Sequence, residues 1–338
     1  MSKVKFFSKK IFTRFLLIII TILVIVIVFA SFLTFLPTRN LEPLEIDRIS
    51  YQEASARTVD IQNQEIENDL ISDKCQTDVV NTGLKTERVV DILHGVTNCP
   101  AQYSELKNDI ADEGYNVYIP RLFGHGYKDK ETKDIADISS KILENELKNI
   151  LEIASGLGDK VTVVGISGSA NIAAFASFNV DFVDKAVLLS PLFMPLEYPL
   201  FSQNFVIHTL NILPNTFQWW DSEVKENLEG PDYAYPRFPT RSIPAFLDFS
   251  ADIKRSYENN ESPASRVEMD IIYSPLDEAI NQEVVDIYAD NLRSLEKVGV
   301  KVDKLPENWG LTHDLVDPNN PDQNTGLIYP EIVDAVDN

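Results

Sequence analysis

The first long apolar run of the chain covers residues 15–36, which contain no charged side chain. These 22 residues, in a helix that rises 1.5 Å per residue, would span a hydrocarbon layer of about 30 Å. Five basic residues and no acidic ones precede the run: Lys3, Lys5, Lys9, Lys10 and Arg14. Positive charge flanking an apolar helix marks the cytoplasmic side, so the N-terminus is predicted to be cytoplasmic.

A cleavable signal peptide would have a shorter apolar region, roughly 7 to 15 residues, followed by small residues at the cleavage site. Here the run is longer and ends in Phe32-Leu-Thr-Phe-Leu36, which lacks such a site. We therefore predict an uncleaved signal-anchor over residues 1–36. Everything after Pro37 would then lie outside the cytoplasm, in the periplasm or the extracellular space.

Residues 37–75 are predominantly polar and form a predicted stalk between the membrane segment and the main domain. Within them Val59, Ile66 and Leu70 are spaced by seven and then four positions, as on one face of a helix. The spacing predicts a stalk helix that lies back on the domain through these three residues.

From Glu87 onward, short β-rich runs alternate with amphipathic stretches. The predicted strands are 89–93, 115–119, 160–164, 185–190, 267–273 and 301–305. The predicted helices are 101–113, 133–154, 243–257, 282–298 and 329–336. Alternation of this kind is typical of an α/β domain with a mostly parallel sheet and helices on both faces. We assign its core to residues 76–192 and 264–338.

The alternation stops over residues 193–263, which are rich in aromatic residues and proline. An apolar insertion at this point predicts a helical cap or lid over a cleft. A helical subdomain that is packed only for stability is the alternative.

Composition and charge narrow the possible partners. Hydrophobic residues make up 44% of the 338 residues, enough for a large core. Outside the anchor, 25 basic residues face 52 acidic ones, a formal charge of −27. Such a domain is repelled by nucleic acids and by anionic lipid surfaces, so we exclude nucleic-acid binding.

The chain has two cysteines, Cys75 and Cys99, both on the predicted outer side. In an oxidising compartment they could form a disulfide, and closing this loop would contribute on the order of 3 kcal/mol. Two buried free thiols are the alternative. Without a nearby histidine cluster, two cysteines are too few for a zinc site, so no metal is expected.

The candidate chemistry starts at Gly165-Ile-Ser-Gly-Ser169, directly after the predicted strand 160–164. A G-x-S-x-G pattern at a strand-to-helix turn can expose a serine hydroxyl as a nucleophile, and small neighbours make the sharp turn possible. Ser169 departs from the pattern, which has glycine there. A simple small-residue turn after a strand is the alternative interpretation of the pentapeptide on its own.

Two further segments follow in chain order, and together the three resemble the α/β-hydrolase family over residues 87–338. Asp277 follows the strand 267–273, and His313 follows the last strand. The resemblance implies a triad of Ser167 as nucleophile, His313 as base and Asp277 as the acid that orients the base. Glu278 is an alternative acid. Asp314, beside the histidine, is expected to be solvated.

The resemblance also implies two backbone N–H groups that would stabilise a developing oxyanion, those of Val96 and Gly168. His94-Gly-Val-Thr-Asn98 is similar to the His-Gly-aromatic-Thr-Gly segment of bacterial carboxylesterases and monoacylglycerol-lipase-like enzymes. The remaining histidines, His94, His125 and His208, are expected to be structural.

The predicted function is that of a membrane-anchored serine esterase that acts on a small-molecule ester with a lipophilic acyl chain and uses no cofactor. The family also includes serine aminopeptidase-like amide hydrolases, which form the first alternative. A catalytically silent α/β-hydrolase-fold domain that binds a lipid or a partner is the second. The sequence leaves the oligomeric state open.

Overall fold

A computed structural model of the chain describes residues 2–196, 198, 203–321 and 323–338. The helices are α1 (Ser2–Phe35), α2 (Tyr51–Glu67), α3 (Leu106–Asp112), α4 (Ser140–Leu157), α5 (Gly168–Asn179), α6 (Gln203–Ile212), α7 (Ser242–Glu258), α8 (Gln282–Arg293) and α9 (Thr325–Asp337). The strands are β1 (Asp78–Val80), β2 (Thr86–Leu93), β3 (Asn116–Ile119), β4 (Gly158–Ile166), β5 (Val183–Leu189), β6 (Phe217–Trp219), β7 (Arg237–Pro239), β8 (Val267–Tyr273) and β9 (Val298–Lys304).

Seven of these strands form one sheet in the order β1-β3-β2-β4-β5-β8-β9. Only the pair β1 and β3 is antiparallel, and the other neighbouring strands run parallel. The prediction of a mostly parallel sheet flanked by helices is therefore confirmed. Because parallel strands end at the same edge, the loops after β2, β4, β8 and β9 lie at one end of the sheet, where ligands commonly bind.

The sheet separates two hydrophobic layers. Val89, Leu93 and Val163 pack into one layer with α4, α5, α7 and α8. Residues next to them in the strands, such as Val90, Ile92 and Val164, point to the other face and pack into the second layer with α3 and α9. Strands that are buried on both faces need apolar residues at nearly every position, which explains the continuous β-rich runs in the sequence.

The cap predicted over residues 193–263 is too long at both ends. Phe193 lies in the core, where its ring stacks on Tyr288 with a centroid distance of 4.3 Å. Helix α7 packs against α5 and contributes Phe246 and Phe249 to the core, because one face of this amphipathic helix is apolar. Residues 203–240, which contain α6 and the hairpin β6–β7, are called the cap from here on, and the cap residues that line the cleft lie within 220–236.

The predicted stalk helix is present as α2 and packs on α4, but the predicted contact face is wrong. Val59, Ile66 and Leu70 are exposed, whereas Ala54, Thr58 and Glu65 are buried. A side chain at Gly156 of α4 would place its Cβ 2.5 Å from that of Ala54, so glycine permits close helix packing there. Glu65 is buried because it pairs with Arg121 at 2.9 Å. Apolar spacing could not reveal a face built from small and paired polar residues.

The residues that follow α1 pack on the α/β domain and do not form a free spacer. Arg39 forms an ion pair with Glu144 of α4 at 2.6 Å, and Leu41 is buried. Leu36 O accepts hydrogen bonds from Asn204 Nδ2 at 3.2 Å and from His208 Nε2 at 3.1 Å, both on α6. The end of α1 is therefore held against the cap.

Asp91 in β2 is fully buried, and neither of its carboxylate oxygens has a hydrogen-bond partner among the described residues. Burial raises its pKa well above the ordinary value, so the folded protein keeps this carboxyl protonated. The unfolded chain releases the proton above about pH 4. Stability is therefore lost as the pH rises above that value.

We expect Asp91→Asn to raise the free energy of unfolding at pH 8 by roughly 1–3 kcal/mol and to change it little at pH 4. Urea unfolding of the detergent-solubilised protein at the two pH values measures this difference. Asp181→Asn, at an exposed site, is the matched control and should leave the free energy of unfolding unchanged at both pH values. An equal effect of Asp91→Asn at both pH values would contradict the assignment of a protonated carboxyl.

Candidate active site

Ser167 lies at the turn between β4 and α5, with backbone angles φ 58° and ψ −122°. A positive φ is rare for a residue other than glycine, and such strain is concentrated at functional sites. The turn requires Gly165 behind it, because a Cβ at that position would lie 2.4 Å from the carbonyl oxygen of Ser169. The local sequence thus forces the serine onto a tight turn at the end of the sheet.

Ser169, the departure from the G-x-S-x-G pattern, has a role that the sequence did not indicate. Its hydroxyl donates a hydrogen bond to the carbonyl oxygen of His94, in the loop after β2. A glycine could not make this contact. Ser169 therefore ties the start of α5 to the loop that carries Val96.

The peptide group between Gly95 and Val96 is held in place by hydrogen bonds to its carbonyl oxygen. Gly95 O accepts hydrogen bonds from His94 Nδ1 at 3.0 Å and from the backbone N–H of Asn98 at 3.1 Å. In a trans peptide the carbonyl and the N–H point in opposite directions. The Val96 N–H is therefore aimed away from His94.

Gly168, the second predicted oxyanion donor, is the first residue of α5. The first N–H groups of a helix have no carbonyl partner within the helix, and the helix dipole favours negative charge at this end. A Cβ at Gly168 would lie 2.6 Å from the ring of Phe246, so glycine also lets α7 approach the turn.

The other histidines lie in structural contacts. Burial and the neighbouring His125 hold the pKa of His94 well below its ordinary value, so its ring is neutral. Its Nε2 accepts a hydrogen bond from the Leu122 N–H at 3.0 Å, which leaves the proton on Nδ1. Burial lowers the pKa of His125 to about 4. His208 contacts the end of α1, as described above.

His313 and Asp277 are brought together from two loops. His313 Nδ1 lies 2.8 Å from Asp277 Oδ2, and Asp277 is fully buried at its side chain. The other carboxylate oxygen, Oδ1, accepts hydrogen bonds from the Ala279 and Ile280 N–H groups. Glu278, the alternative acid, is exposed to solvent.

The contact between Asp277 and His313 shifts the pKa of each side chain in the direction that stabilises its charged form, the carboxylate and the imidazolium. Burial alone would raise the pKa of Asp277, but the charge and hydrogen bond of His313 hold it below its ordinary value. Burial alone would lower the pKa of His313, but the charge and hydrogen bond of Asp277 raise it. Asp277 therefore makes His313 a stronger base, because it stabilises the imidazolium that forms when the ring accepts a proton.

Asp314, which the sequence predicted to be solvated, is partly buried and hydrogen-bonded. Its Oδ1 accepts a hydrogen bond from Gln102 Nε2 at 3.0 Å, and Gln102 Oε1 accepts one from the Gly95 N–H at 2.9 Å. Burial raises the pKa of Asp314. Gln102 thus connects the loop of His313 to the loop of Val96, a link that the sequence analysis missed because the residues are far apart in the chain.

A second connection joins the same two loops. Asp317 accepts hydrogen bonds from Asn98 Nδ2 at 3.2 Å and from the Tyr233 hydroxyl at 2.7 Å. Burial raises the pKa of Asp317 to about 6. Asn98, where the similar sequence segments have glycine, therefore supports the loop through its side chain.

Cys75 and Cys99 form a disulfide across a sequence separation of 24 residues, with their Cα atoms 5.3 Å apart. Both cysteines are buried and pack with Ala101 and Tyr233. The disulfide therefore adjoins the Asn98 contact and fixes the end of the same loop.

Ser167, His313 and Val96 line one cavity of about 270 Å³ between the sheet edge and the cap. The cap contributes the apolar side chains Trp220 and Leu228. Charged residues line the cavity as well: Lys130, Glu226, Glu229 and Asp314. The cavity therefore brings the predicted nucleophile, base and oxyanion loop around one space. Among the described residues there is no group of three or more histidine, cysteine or acidic side chains that could hold a metal ion.

A family model described as alpha/beta hydrolase fold matches residues 89–266, which is 178 of the 338 residues. No curated protein sequence matches the chain.

Solved structures share the fold at low sequence identity. One of two metagenome-derived lipolytic enzymes, LipS and LipT, has a TM-score of 0.57 at 15% identity, over 78% of this chain and 98% of that one. Monoglyceride lipase from Saccharomyces cerevisiae has a TM-score of 0.56 at 11% identity, over 78% and 90%. Monoacylglycerol lipase from Paleococcus ferrophilus has a TM-score of 0.53 at 14% identity, over 77% and 97%.

Proposed function

Because the chain belongs to the α/β-hydrolase fold family, we propose that it is a serine hydrolase that cleaves carboxylic esters through an acyl-enzyme. The single observation that carries the proposal is the cavity shared by Ser167, on its strained turn, and His313, which is hydrogen-bonded to a buried carboxylate. A serine hydroxyl is unreactive without a base to accept its proton, and this cavity supplies one. The lipolytic enzymes among the similar structures support an ester substrate.

In the proposed reaction, Ser167 Oγ attacks the ester carbonyl while His313 Nε2 accepts the hydroxyl proton. The tetrahedral oxyanion binds the N–H groups of Val96 and Gly168. His313 then gives its proton to the leaving alkoxide, and the alcohol departs. Water, deprotonated by His313, attacks the acyl-enzyme in the same way, and the carboxylic acid and free Ser167 are released.

Asp277 orients the imidazole ring of His313 and stabilises its charged form. Its hydrogen bond keeps the proton of the neutral ring on Nδ1, so that the lone pair of Nε2 is available to accept the serine proton, and its negative charge stabilises the imidazolium that forms in each step. The two backbone N–H groups to Asp277 Oδ1 keep the carboxylate in this orientation.

An amide hydrolase of the aminopeptidase type is the second candidate. Glu226 and Glu229 line the cavity, and their carboxylates could attract the α-ammonium group of an aminoacyl substrate. The same triad would serve both reactions, so substrate comparison must separate them.

Turnover of p-nitrophenyl esters of increasing chain length, measured beside aminoacyl p-nitroanilides, tests the substrate class. Because p-nitrophenyl esters are intrinsically more reactive than anilides, the ratio of the two rates alone does not separate the classes. We expect kcat/KM for the esters to increase with acyl chain length, through contacts in the cavity, and no measurable cleavage of the anilides. Cleavage of the anilides would replace the esterase by the amide hydrolase. A folded protein that turned over neither class would favour the silent binding domain.

We also propose that α1 anchors the hydrolase domain outside the cytoplasm. Within the described part of the chain, one helical segment, Ile11–Phe35, is long and apolar enough to cross a membrane. The basic residues before it support a cytoplasmic N-terminus. Protease added to intact cells should then digest the hydrolase domain, whereas protection of the domain would reverse the orientation.

A further inference from the structure

We infer that Trp220 of the cap is a positioning residue, which acts through Thr97 to hold the oxyanion donor Val96 in place. This inference rests on the proposed serine hydrolase function. It concerns a contact between the cap and the loop after β2 that the sequence analysis did not reveal.

Thr97 has a backbone conformation that its surroundings must maintain. Its φ is 74°, in the left-handed region, where a β-branched residue is a genuine outlier. Such a conformation costs on its own and persists only where other contacts impose it. The contacts around Thr97 are therefore part of what shapes the loop next to Val96.

The hydrogen bonds of Thr97 leave one consistent arrangement. Trp220 Nε1 lies 2.9 Å from Thr97 Oγ1, and an indole N–H can only donate. The hydroxyl of Thr97 therefore accepts from Trp220 and donates its own proton to the carbonyl oxygen of Val96. The carbonyl oxygen of Thr97 accepts from the Tyr235 N–H at 2.8 Å, also in the cap.

Val96 is thus fixed on both sides by different parts of the molecule. On its N-terminal side, His94 and the Asn98 N–H hold Gly95 O, and both belong to the loop itself. On its C-terminal side, the cap holds the peptide groups of Val96 and Thr97 through Trp220 and Tyr235. The position of the Val96 N–H therefore depends on the contacts within the loop and on the contacts from the cap together.

The hydrogen bond from Trp220 to Thr97 can form only when the cap is in its observed position. The ring of Trp220 packs on Phe238 of the hairpin β6–β7 with a centroid distance of 4.4 Å, and the side chain also lines the cavity. A displaced hairpin would withdraw the indole N–H from Thr97. Oxyanion stabilisation would then be complete only when the cap covers the cavity.

A cavity wall and a positioning residue predict different kinetics. Loss of a wall that contacts the substrate weakens binding in the ground state and raises KM. Loss of an oriented oxyanion donor weakens binding only in the transition state and lowers kcat with KM unchanged.

The test compares Trp220→Phe with Trp219→Phe in the full-length protein. Trp219 is adjacent and belongs to β6, but its ring lies near Arg237 and does not line the cavity. We expect Trp220→Phe to lower kcat for the best ester by roughly 10- to 100-fold with little change in KM, as for a misplaced catalytic group. Trp219→Phe should match the wild type.

Thr97 variants test whether the effect passes through its hydroxyl. Thr97→Val should lower kcat like Trp220→Phe, Thr97→Ser should restore it, and the double variant Trp220→Phe/Thr97→Val should be no worse than either single variant. A boronic acid that mimics the tetrahedral intermediate should bind Trp220→Phe more weakly, in proportion to the loss of kcat/KM.

A raised KM with unchanged kcat in Trp220→Phe, unchanged boronic acid binding, or independent losses in the double variant would overturn the inference. These outcomes leave the proposed function intact, because they require an active wild type. Absence of ester turnover in the wild type would instead remove the proposed function.

Discussion

Replacing Ser167 with alanine is expected to lower kcat for ester hydrolysis by about 10⁶-fold, to the rate that binding and oxyanion contacts alone provide. The reason is that the acyl-enzyme cannot form without the hydroxyl, while the cavity and the two backbone N–H groups stay in place. Alanine tolerates the strained φ of 58° no worse than serine, so the fold should persist. Turnover of the best p-nitrophenyl ester measures the loss.

The matched control for this variant is Ser177→Ala, in the same helix α5. Ser177 is buried, and its hydroxyl bonds the carbonyl oxygen of Ala174. The control should lose about 1 kcal/mol of stability at most and keep its activity. If Ser167→Ala retained wild-type turnover, the nucleophile would have to be another residue.

Replacing Asp277 with asparagine is expected to lower kcat by about 10⁴-fold, because the amide cannot stabilise the imidazolium and favours the wrong tautomer of His313. Glu278→Gln is the matched control. Glu278 is adjacent but exposed, so its substitution should leave turnover near the wild-type value. A large loss in Glu278→Gln together with an active Asp277→Asn would exchange the roles of the two acids.

The pH dependence of the same variant gives a second readout. The neutral ring of His313 is the base, so activity is lost as the pH falls through its pKa. The charge of Asp277 raises that pKa against the effect of burial, so the acid limb of kcat/KM should lie above the ordinary value of about 6.5. Asp277→Asn removes the charge, and the acid limb of its residual activity should move to lower pH.

Much of the core was predictable because periodicity reports burial. The strand predicted over residues 267–273 is β8 (Val267–Tyr273), residue for residue. The helix predicted over 243–257 is α7 (Ser242–Glu258), although the sequence placed it over the cleft. The spacing of apolar residues shows that a helix has an apolar face. It does not show which element of the fold packs against that face.

Other elements gave no usable periodicity. The strand β1 and the hairpin strands β6 and β7 have three residues each, too few for a pattern. The predicted helix 101–113 is broken into a short 3-10 turn, Pro100–Tyr103, and α3. Gln102 lies within the 3-10 turn, where its side chain contacts Gly95 and Asp314 across the site.

The candidate site also contains residues that were predictable and residues that were not. Ser167, Asp277 and His313 each follow a strand, in the chain order of the family that the sequence resembles, and this order was enough to propose them. The residues that support them were hidden, because their partners are distant in sequence. Gln102 and Asp314 are 212 positions apart, and Thr97 and Trp220 are 123 apart. Hydrogen bonds of this kind leave no local pattern.

The proposed mechanism requires that Ser167 becomes covalently acylated. The most direct measurement is peptide mapping by mass spectrometry after the full-length protein has reacted with a fluorophosphonate, which phosphonylates activated serines. We predict one adduct, on the peptide that contains Ser167, and none in Ser167→Ala. An adduct on another residue, or an active wild type that forms no adduct where a known serine hydrolase does, would contradict the proposed mechanism.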